Sequence, residues 1–241
     1  IKGFGKFEGY ANRDSLKYIN KYNLQNIPTI YRGTLRRPGF SQAWNVLVQL
    51  GATDDSYYLE NVENMTYRDF INSFLYYHKS DSVETKLYHY MHLDQDSEII
   101  GKLKWLGIFE DIPIGLKKAT PAQVLEHLIK QKWHLEPYDK DLMVMWHKFI
   151  YKDILTKKPV TITTSLAVVG EDAHNTAMAK TVGLPLGIAA KLILTGKISL
   201  CGLQIPIIPE IYEPVLKELE NYGIQFTESI HESSKEDWQY H

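Results

Sequence analysis

Cysteine is nearly absent: Cys201 is the only one in 241 residues. No disulfide can form within the chain, and no cysteine-based zinc site can be built. That suits a reducing compartment, so the expected location is cytoplasmic. Long apolar runs are also missing. The longest, "LPLGIAAKLIL" and "LAVVG", fall short of the roughly 18 residues of a membrane span, so no membrane is expected as a partner. Excess positive charge is lacking too. A formal net charge of −2 argues against a general nucleic-acid binder, which carries a domain-wide basic excess. Nucleotide fingerprints are likewise missing. "GFGKFEG" has the glycines but no apolar strand before it, and "GLPLG" is not the strand-to-helix G-x-G-x-x-G. No P-loop lysine motif occurs. No cofactor is therefore expected to bind this portion alone. The chain opens on "IKGFGKFEGY" with neither a secretory signal nor an initiator methionine, which reads as a piece of a longer protein or a processed one.

Arginine is scarce but concentrated. There are five, and Arg13, Arg32, Arg36 and Arg37 all fall between Gly9 and Phe40; Arg68 is the fifth. A guanidinium is a flat fork that grips a carboxylate or phosphate through two parallel hydrogen bonds, whereas lysine offers a point charge on a flexible stem. A run of arginine in a lysine-rich chain fits either anion recognition or a few solvated charges. If "PTIYRGTL" is a strand, with Pro28 as its first residue, period-two alternation puts Arg32, Thr34 and Arg36 on one side and Arg37 opposite.

The rest divides by texture. "DSLKYINKYN" has helical spacing ahead of that strand. From 41 to 140 the pattern is helical. "SQAWNVLVQLG" runs from a capping Ser41 to Gly51, and "TYRDFINSFLYYHK" opens on Thr66 with Asp69 three residues on. "DSEIIGKLKWLGIF" puts Ile99, Ile100, Leu103 and Leu106 on one face. "TPAQVLEHLIKQKW" carries Thr120, Pro121 and Gln123 as cap, first helical residue and box partner. Then "LMVMWHKFIYK" and "PVTITTSLAVVG" read as a hairpin joined by "DILTKKP". Helices return in "TAMAKTVGLPLGIAAKLILTG" and in "EIYEPVLKELENYG", which stops at Gly223. Residues 227–241 read as a frayed polar tail.

Other candidate chemistry is thin. His89 and His92 are three apart in "YHYMHLD" with Asp94 following, a spacing that serves a metal or an ordinary histidine pair; no wider metal motif accompanies it. Cys201 has no histidine nearby in sequence to activate it. In "GEDAHNTAMAKTVGLP", small residues around Lys180 and Thr181 fit tight helix packing, or a place near a ligand.

Together, "EGYANRDSLKY", "YRGTLRRPGFSQAW", "AMAKTVGLPLGIAAKLIL" and "EIYEPVLKELENYGI" resemble the carboxy-terminal half of the glutamate-forming saccharopine dehydrogenases, or saccharopine reductases. The same region occurs in aminoadipic semialdehyde synthases. The resemblance runs from about Gly3 to Phe226 and is weakest between about Thr53 and Ala119.

The resemblance implies an α+β chain: a mixed α/β substrate-binding domain of the saccharopine reductase type with an inserted all-α domain. Residues 1–40 and 141–226 would form the mixed domain, 41–140 the helical insertion and 227–241 a polar tail. It implies NAD or NADP in the complete enzyme, saccharopine as substrate, a homodimer, and an amino-terminal Rossmann domain of the same protein as partner. Saccharopine carries three carboxylates, which accounts for the arginines. Matching the motif residue by residue implies substrate contacts at Arg13, Thr34, Leu35 (through its backbone) and Arg36. Tyr10, Asn12 and Arg32, as their neighbours, and Lys180, from its small-residue surroundings, are added as further substrate-side positions. No catalytic residue and no metal site is assigned here. Two other readings stay open: a non-catalytic binding or assembly module derived from the enzyme, and a related oxidoreductase acting on another acidic amino acid.

Overall fold

A computed structural model describes residues 1–235 and 237. The elements in order are β1 (Glu8–Ala11), α1 (Lys17–Lys21), β2 (Gly33–Arg36), α2 (Phe40–Leu50), α3 (Tyr67–Asn72), α4 (Val83–Met91), α5 (Glu98–Leu106), α6 (Pro121–Lys132), β3 (Leu142–Lys152), β4 (Pro159–Val169), α7 (Ala177–Leu194), α8 (Pro209–Leu219) and β5 (Thr227–Glu232). Helix and sheet are mixed. β1 and β2 form a two-stranded sheet, and β3–β4–β5 a three-stranded one. The chain divides into two compact units. One is helical and holds Phe7–Tyr10 and Arg36–His134; the other holds Ile1–Lys6, Ala11–Leu35 and the described residues from Leu135 onward.

The helical unit is built on amphipathic spacing. In α2, Ala43, Val46, Leu47 and Leu50 recur at three- and four-residue steps and are buried. Val46, Leu47 and Leu50 join Phe70, Ile71, Leu87, Ile100, Leu103 and Val124 in one apolar cluster. Each fully buried side chain of this kind contributes roughly 1.5–3 kcal/mol. The helix ends are chemically marked. Thr66 and Asp69 form a complete capping box on α3, as do Thr120 and Gln123 on α6, where Pro121 takes the first turn. α2 ends at Gly51, whose φ of 87° suits glycine.

Two boundaries differ from the sequence expectation. α2 starts at Phe40 with Gly39 in the N-cap position, not at Ser41, because Gly39 takes the left-handed φ of 83° and the Ser41 amide is claimed by a carboxylate from β1. α3 ends at Asn72 and does not run on to residue 79: the Ser73 hydroxyl donates back to the Phe70 carbonyl at 2.6 Å, closing the last turn.

In the other unit, β3 and β4 pair antiparallel from Leu142↔Val169 to Lys152↔Pro159, the hairpin expected from the alternation. α7 and α8 cover it through Leu166, Ile188, Leu192, Val215 and Leu219. Residues 227–232 are not frayed. They pair antiparallel with β4, from Ser165↔Thr227 to Val160↔Glu232. All six are exposed, so this edge strand lacks the apolar alternation that marks a half-buried one. The expected tail residues 236 and 238–241 lie outside the described residues.

α7 departs from expectation in another way. It has 18 residues with a mean hydropathy of 1.5, long and apolar enough to cross a membrane, and 17% of it is buried within this chain. Lys180 and Lys191 interrupt the apolar letters, which is why no continuous run stands out in the sequence.

Candidate functional site

The arginine-rich stretch is held at its base by α1, β2 and the turn between β1 and α1. In that turn the Asp14 carboxylate accepts the Leu16 N–H at 2.9 Å, a local Asx-type bond. Arg13 precedes it with φ of 63°, a left-handed conformation uncommon outside glycine, and its side chain is exposed. Asn12 Nδ2 donates to Thr34 Oγ1 at 2.6 Å, and the Asn12 N–H donates to the Arg32 carbonyl at 3.1 Å. Asn12 and Thr34, 22 residues apart, are thereby brought together.

Arg32 stands apart from the alternation expected of it. The strand begins only at Gly33, so residues 28–32 are not part of it. Pro28 has no N–H to give a ladder, and the Arg32 N–H goes to Ser15 Oγ at 3.0 Å. The Arg32 guanidinium donates to the Tyr18 hydroxyl at 3.0 Å and lies 5.3 Å from that ring's centroid. This contact ties the guanidinium to α1. Thr34 and Leu35 are half-buried in β2, and Tyr10 is exposed on β1. Lys180 sits in the first turn of α7, ion-paired with Glu171. The Thr181 hydroxyl donates back to the Ala177 carbonyl at 2.9 Å, a bond internal to the helix.

Arg36 and Arg37 belong to the helical unit and rest on aromatic rings. The Arg36 guanidinium carbon is 5.4 Å from the Phe40 centroid, and that of Arg37 is 4.5 Å from Phe7. Phe40 stacks on Trp44 at 5.9 Å with 7° between planes, and both lie 6.3 Å from Trp133. These rings, with Arg37, Lys102 and Trp105, line an apolar groove of about 240 Å³.

Sequence reasoning missed Glu8. Its carboxylate accepts the Gly39 N–H at 2.9 Å and the Ser41 N–H at 2.6 Å. The Ser41 amide, then the Gly39 amide, and the nearby Lys102 charge hold this carboxyl below its ordinary range. The one signal available was a deficit: α2 opens on Pro-Gly-Phe, with no Ser, Thr, Asp or Asn in the N-cap position.

Guanidinium forks, a threonine hydroxyl and an asparagine amide can bind carboxylates; they do not move protons readily at neutral pH. His89 and His92 do not share a helix face, because His92 leaves α4 in a left-handed conformation. Among the described residues no group of three or more His, Cys, Asp or Glu is gathered to hold a metal. The described residues do not form the strand-to-helix glycine turn of a Rossmann dinucleotide site. The three-stranded sheet is antiparallel, and Gly183 and Gly187 lie inside α7, not on a strand-to-helix turn.

A family model described as the saccharopine dehydrogenase C-terminal domain matches residues 1–224. Over 226 residues the chain is 34% identical to the mitochondrial alpha-aminoadipic semialdehyde synthase of Rattus norvegicus, covering 91% of this chain and 24% of that protein. Over 238 residues it is 33% identical to the saccharopine dehydrogenase (NADP(+), L-glutamate-forming) of Pyricularia oryzae, covering 93% of this chain and 51% of that one. The solved structure of apo histidine-tagged saccharopine dehydrogenase (L-Glu forming) from Saccharomyces cerevisiae aligns with a TM-score of 0.81 at 27% identity, over 96% of this chain and 53% of that one. The chain thus spans about half the length of these dehydrogenases and about a quarter of the synthase.

Proposed function

Because the chain belongs to the saccharopine dehydrogenase C-terminal domain family, we propose that it is the substrate-side portion of an enzyme that interconverts saccharopine with glutamate and aminoadipate semialdehyde in lysine metabolism. Arg13, Thr34, Leu35 and Arg36 are its proposed substrate contacts. The single observation that carries this reading is the Asn12–Thr34 hydrogen bond, which joins the two segments whose residues match the family's substrate motif. The left-handed Arg13 adds support, since non-glycine residues held at positive φ cluster at functional sites.

The chemistry assigns a limited task to these residues. A nicotinamide cofactor, NADP or NAD, would supply hydride transfer at the C–N bond of the substrate. This chain's arginines would hold carboxylates, each well-formed charge-assisted bond contributing roughly 1.5–3 kcal/mol. Binding at carboxylates remote from the reacting carbon orients that carbon. The cofactor would be held by a part of the protein outside these residues. The exposed apolar face of α7, with Met178, Val182 and Leu186, is the surface we assign to docking that part.

The test is saccharopine-dependent reduction of NADP and of NAD by the full-length gene product, with the 241-residue chain alone as control. Activity in the full-length protein only supports the reading and names the cofactor. A folded full-length protein inactive with both would overturn it.

A further inference from the structure

We propose that Glu8, acting through Phe40, is a positioning residue for Arg36. The inference rests on the reading of Arg36 as a substrate contact and names what holds that contact in place.

The first N–H groups of a helix have no partner within it. α2 has no side chain of its own to meet them, since its N-cap residue is Gly39. Glu8, more than thirty residues upstream, takes their place: one carboxylate oxygen accepts from Gly39 and the other from Ser41. Phe40 lies between these two anchored amides. Its ring is the surface over which the Arg36 guanidinium rests, and Trp44 backs that ring one turn further on. On the other flank, Phe7, the neighbour of Glu8, carries Arg37. Two consecutive residues, Phe7 and Glu8, thus grip the segment from Arg37 to Ser41.

The arrangement addresses two physical problems. An arginine side chain loses much rotamer freedom on ordering, and a ring fixed beneath it removes part of that loss before the ligand arrives. A carboxylate near an anion-binding arginine would ordinarily repel the ligand. Here both Glu8 oxygens are engaged by amides at a helix N-terminus, where negative charge is favoured, and Lys102 lies close by. An uncharged glutamine of the same shape can accept at only one of its two terminal atoms.

The experiment uses the full-length enzyme and four variants: Glu8→Gln, Phe40→Leu, Arg36→Ala, and Glu8→Gln combined with Arg36→Ala. Glu8→Gln and Phe40→Leu should each raise KM for saccharopine about 5- to 30-fold, the factor expected for losing one such interaction. They should leave KM for the nicotinamide cofactor and kcat within about two-fold, as expected when ground-state and transition-state binding fall together. In the Arg36→Ala background, Glu8→Gln should change KM for saccharopine less than about two-fold, because the coupled partner is gone. If Arg36→Ala raises KM while Glu8→Gln does not, Glu8 has no positioning role and the substrate reading stands. If Arg36→Ala itself leaves KM unchanged, Arg36 is not a substrate contact and both claims fall. An undiminished effect of Glu8→Gln in the double variant makes Glu8 merely structural and overturns the proposal. Should Glu8→Gln not fold, an unchanged KM in Phe40→Leu overturns it equally.

Discussion

Arg68 holds Glu84 with both terminal nitrogens, at 3.0 and 2.5 Å, while its Nε donates to the Phe109 carbonyl at 3.0 Å. All three contacts lie in the helical unit and tie α3 to α4 and to the chain after α5. The one arginine outside the amino-terminal stretch is thus a structural brace. Burial pushes the Glu84 carboxyl up, but the hydrogen bonds, chiefly that from Arg68, outweigh it and hold the group below its ordinary range. Arg68→Lys should destabilise the chain by roughly 1.5–3 kcal/mol, because an ammonium cannot reproduce the planar fork. Urea denaturation measures this; an unchanged midpoint would show that lysine suffices. Since the folded Glu84 pKa is depressed, its contribution is present above the ordinary carboxylate range and disappears as pH falls through the folded value.

A second expectation concerns Gly170. A β-carbon there would collide with the Asp141 carboxylate and lie 2.9 Å from the Ala177 nitrogen. That carboxylate accepts the N–H groups of Ala177 at 2.6 Å and Met178 at 2.9 Å, opening α7. Gly170→Ala should therefore displace the cap and destabilise by about 1–3 kcal/mol. Asp141→Ala, which removes the cap without the collision, should destabilise less. Thermal unfolding of both variants decides; equal stability of Gly170→Ala and the parent would mean the turn yields without penalty.

Asp237 sets an acid-sensitive contact beside the edge strand. Its carboxylate accepts from the Ser234 N–H at 2.8 Å and sits 3.2 Å from His231 Nε2. The Ser234 amide is the main cause of a pKa pulled down to about 2. An aspartate in the unfolded chain titrates near about 3.9. The contact is thus fully present above that value and is lost as pH falls through about 2. The chemical shift of the Ser234 amide should follow this titration and lose it in Asp237→Asn. A titration centred near 4 would show that the carboxylate is free.

The apolar face of α7 should make the isolated chain self-associate. Leu186 is 74% exposed and Val182 64% exposed. Changing both to serine should shift the sedimentation of the 241-residue chain toward the monomer. In the full-length protein the proposed docking on this face predicts that the same pair lowers stability. A monomeric parent chain at high concentration would remove this face as a sticking point, and flotation with lipid vesicles would reassign it to a membrane.

Local chemistry was legible in the sequence. Thr66 with Asp69 and Thr120 with Gln123 are separated by three residues, so their capping boxes can be read from the letters. The hairpin was equally plain, because strand alternation and a polar turn lie in one continuous stretch. What was hidden came from distance. Glu8 and Asp141 each open a helix more than thirty residues away, and no window of sequence contains both partners. β5 was hidden for another reason: an exposed edge strand carries no apolar rhythm. Within the candidate site, Asn12 and Thr34 are legible from the letters, but the alternation puts Arg32 on a strand it does not enter. Its backbone and guanidinium are both turned to α1, through Ser15 and Tyr18.

The capping of α7 also bears on how β3 and β4 find their alignment. A slip of one residue would turn every side chain of a strand to the wrong face and is excluded by burial alone. A slip of two keeps each side chain on its own face, so the apolar pattern scarcely distinguishes it. Asp141 stands immediately before the terminal pair Leu142↔Val169, and its carbonyl accepts the Gly170 N–H at 2.9 Å. A two-residue slip would carry the Asp141 carboxylate about 7 Å along the strand, out of reach of the Ala177 and Met178 amides. The aspartate acts as a gauge: Thr176 caps the Ala179 amide in any register, but the Ala177 and Met178 amides meet their carboxylate only when the hairpin has been counted correctly.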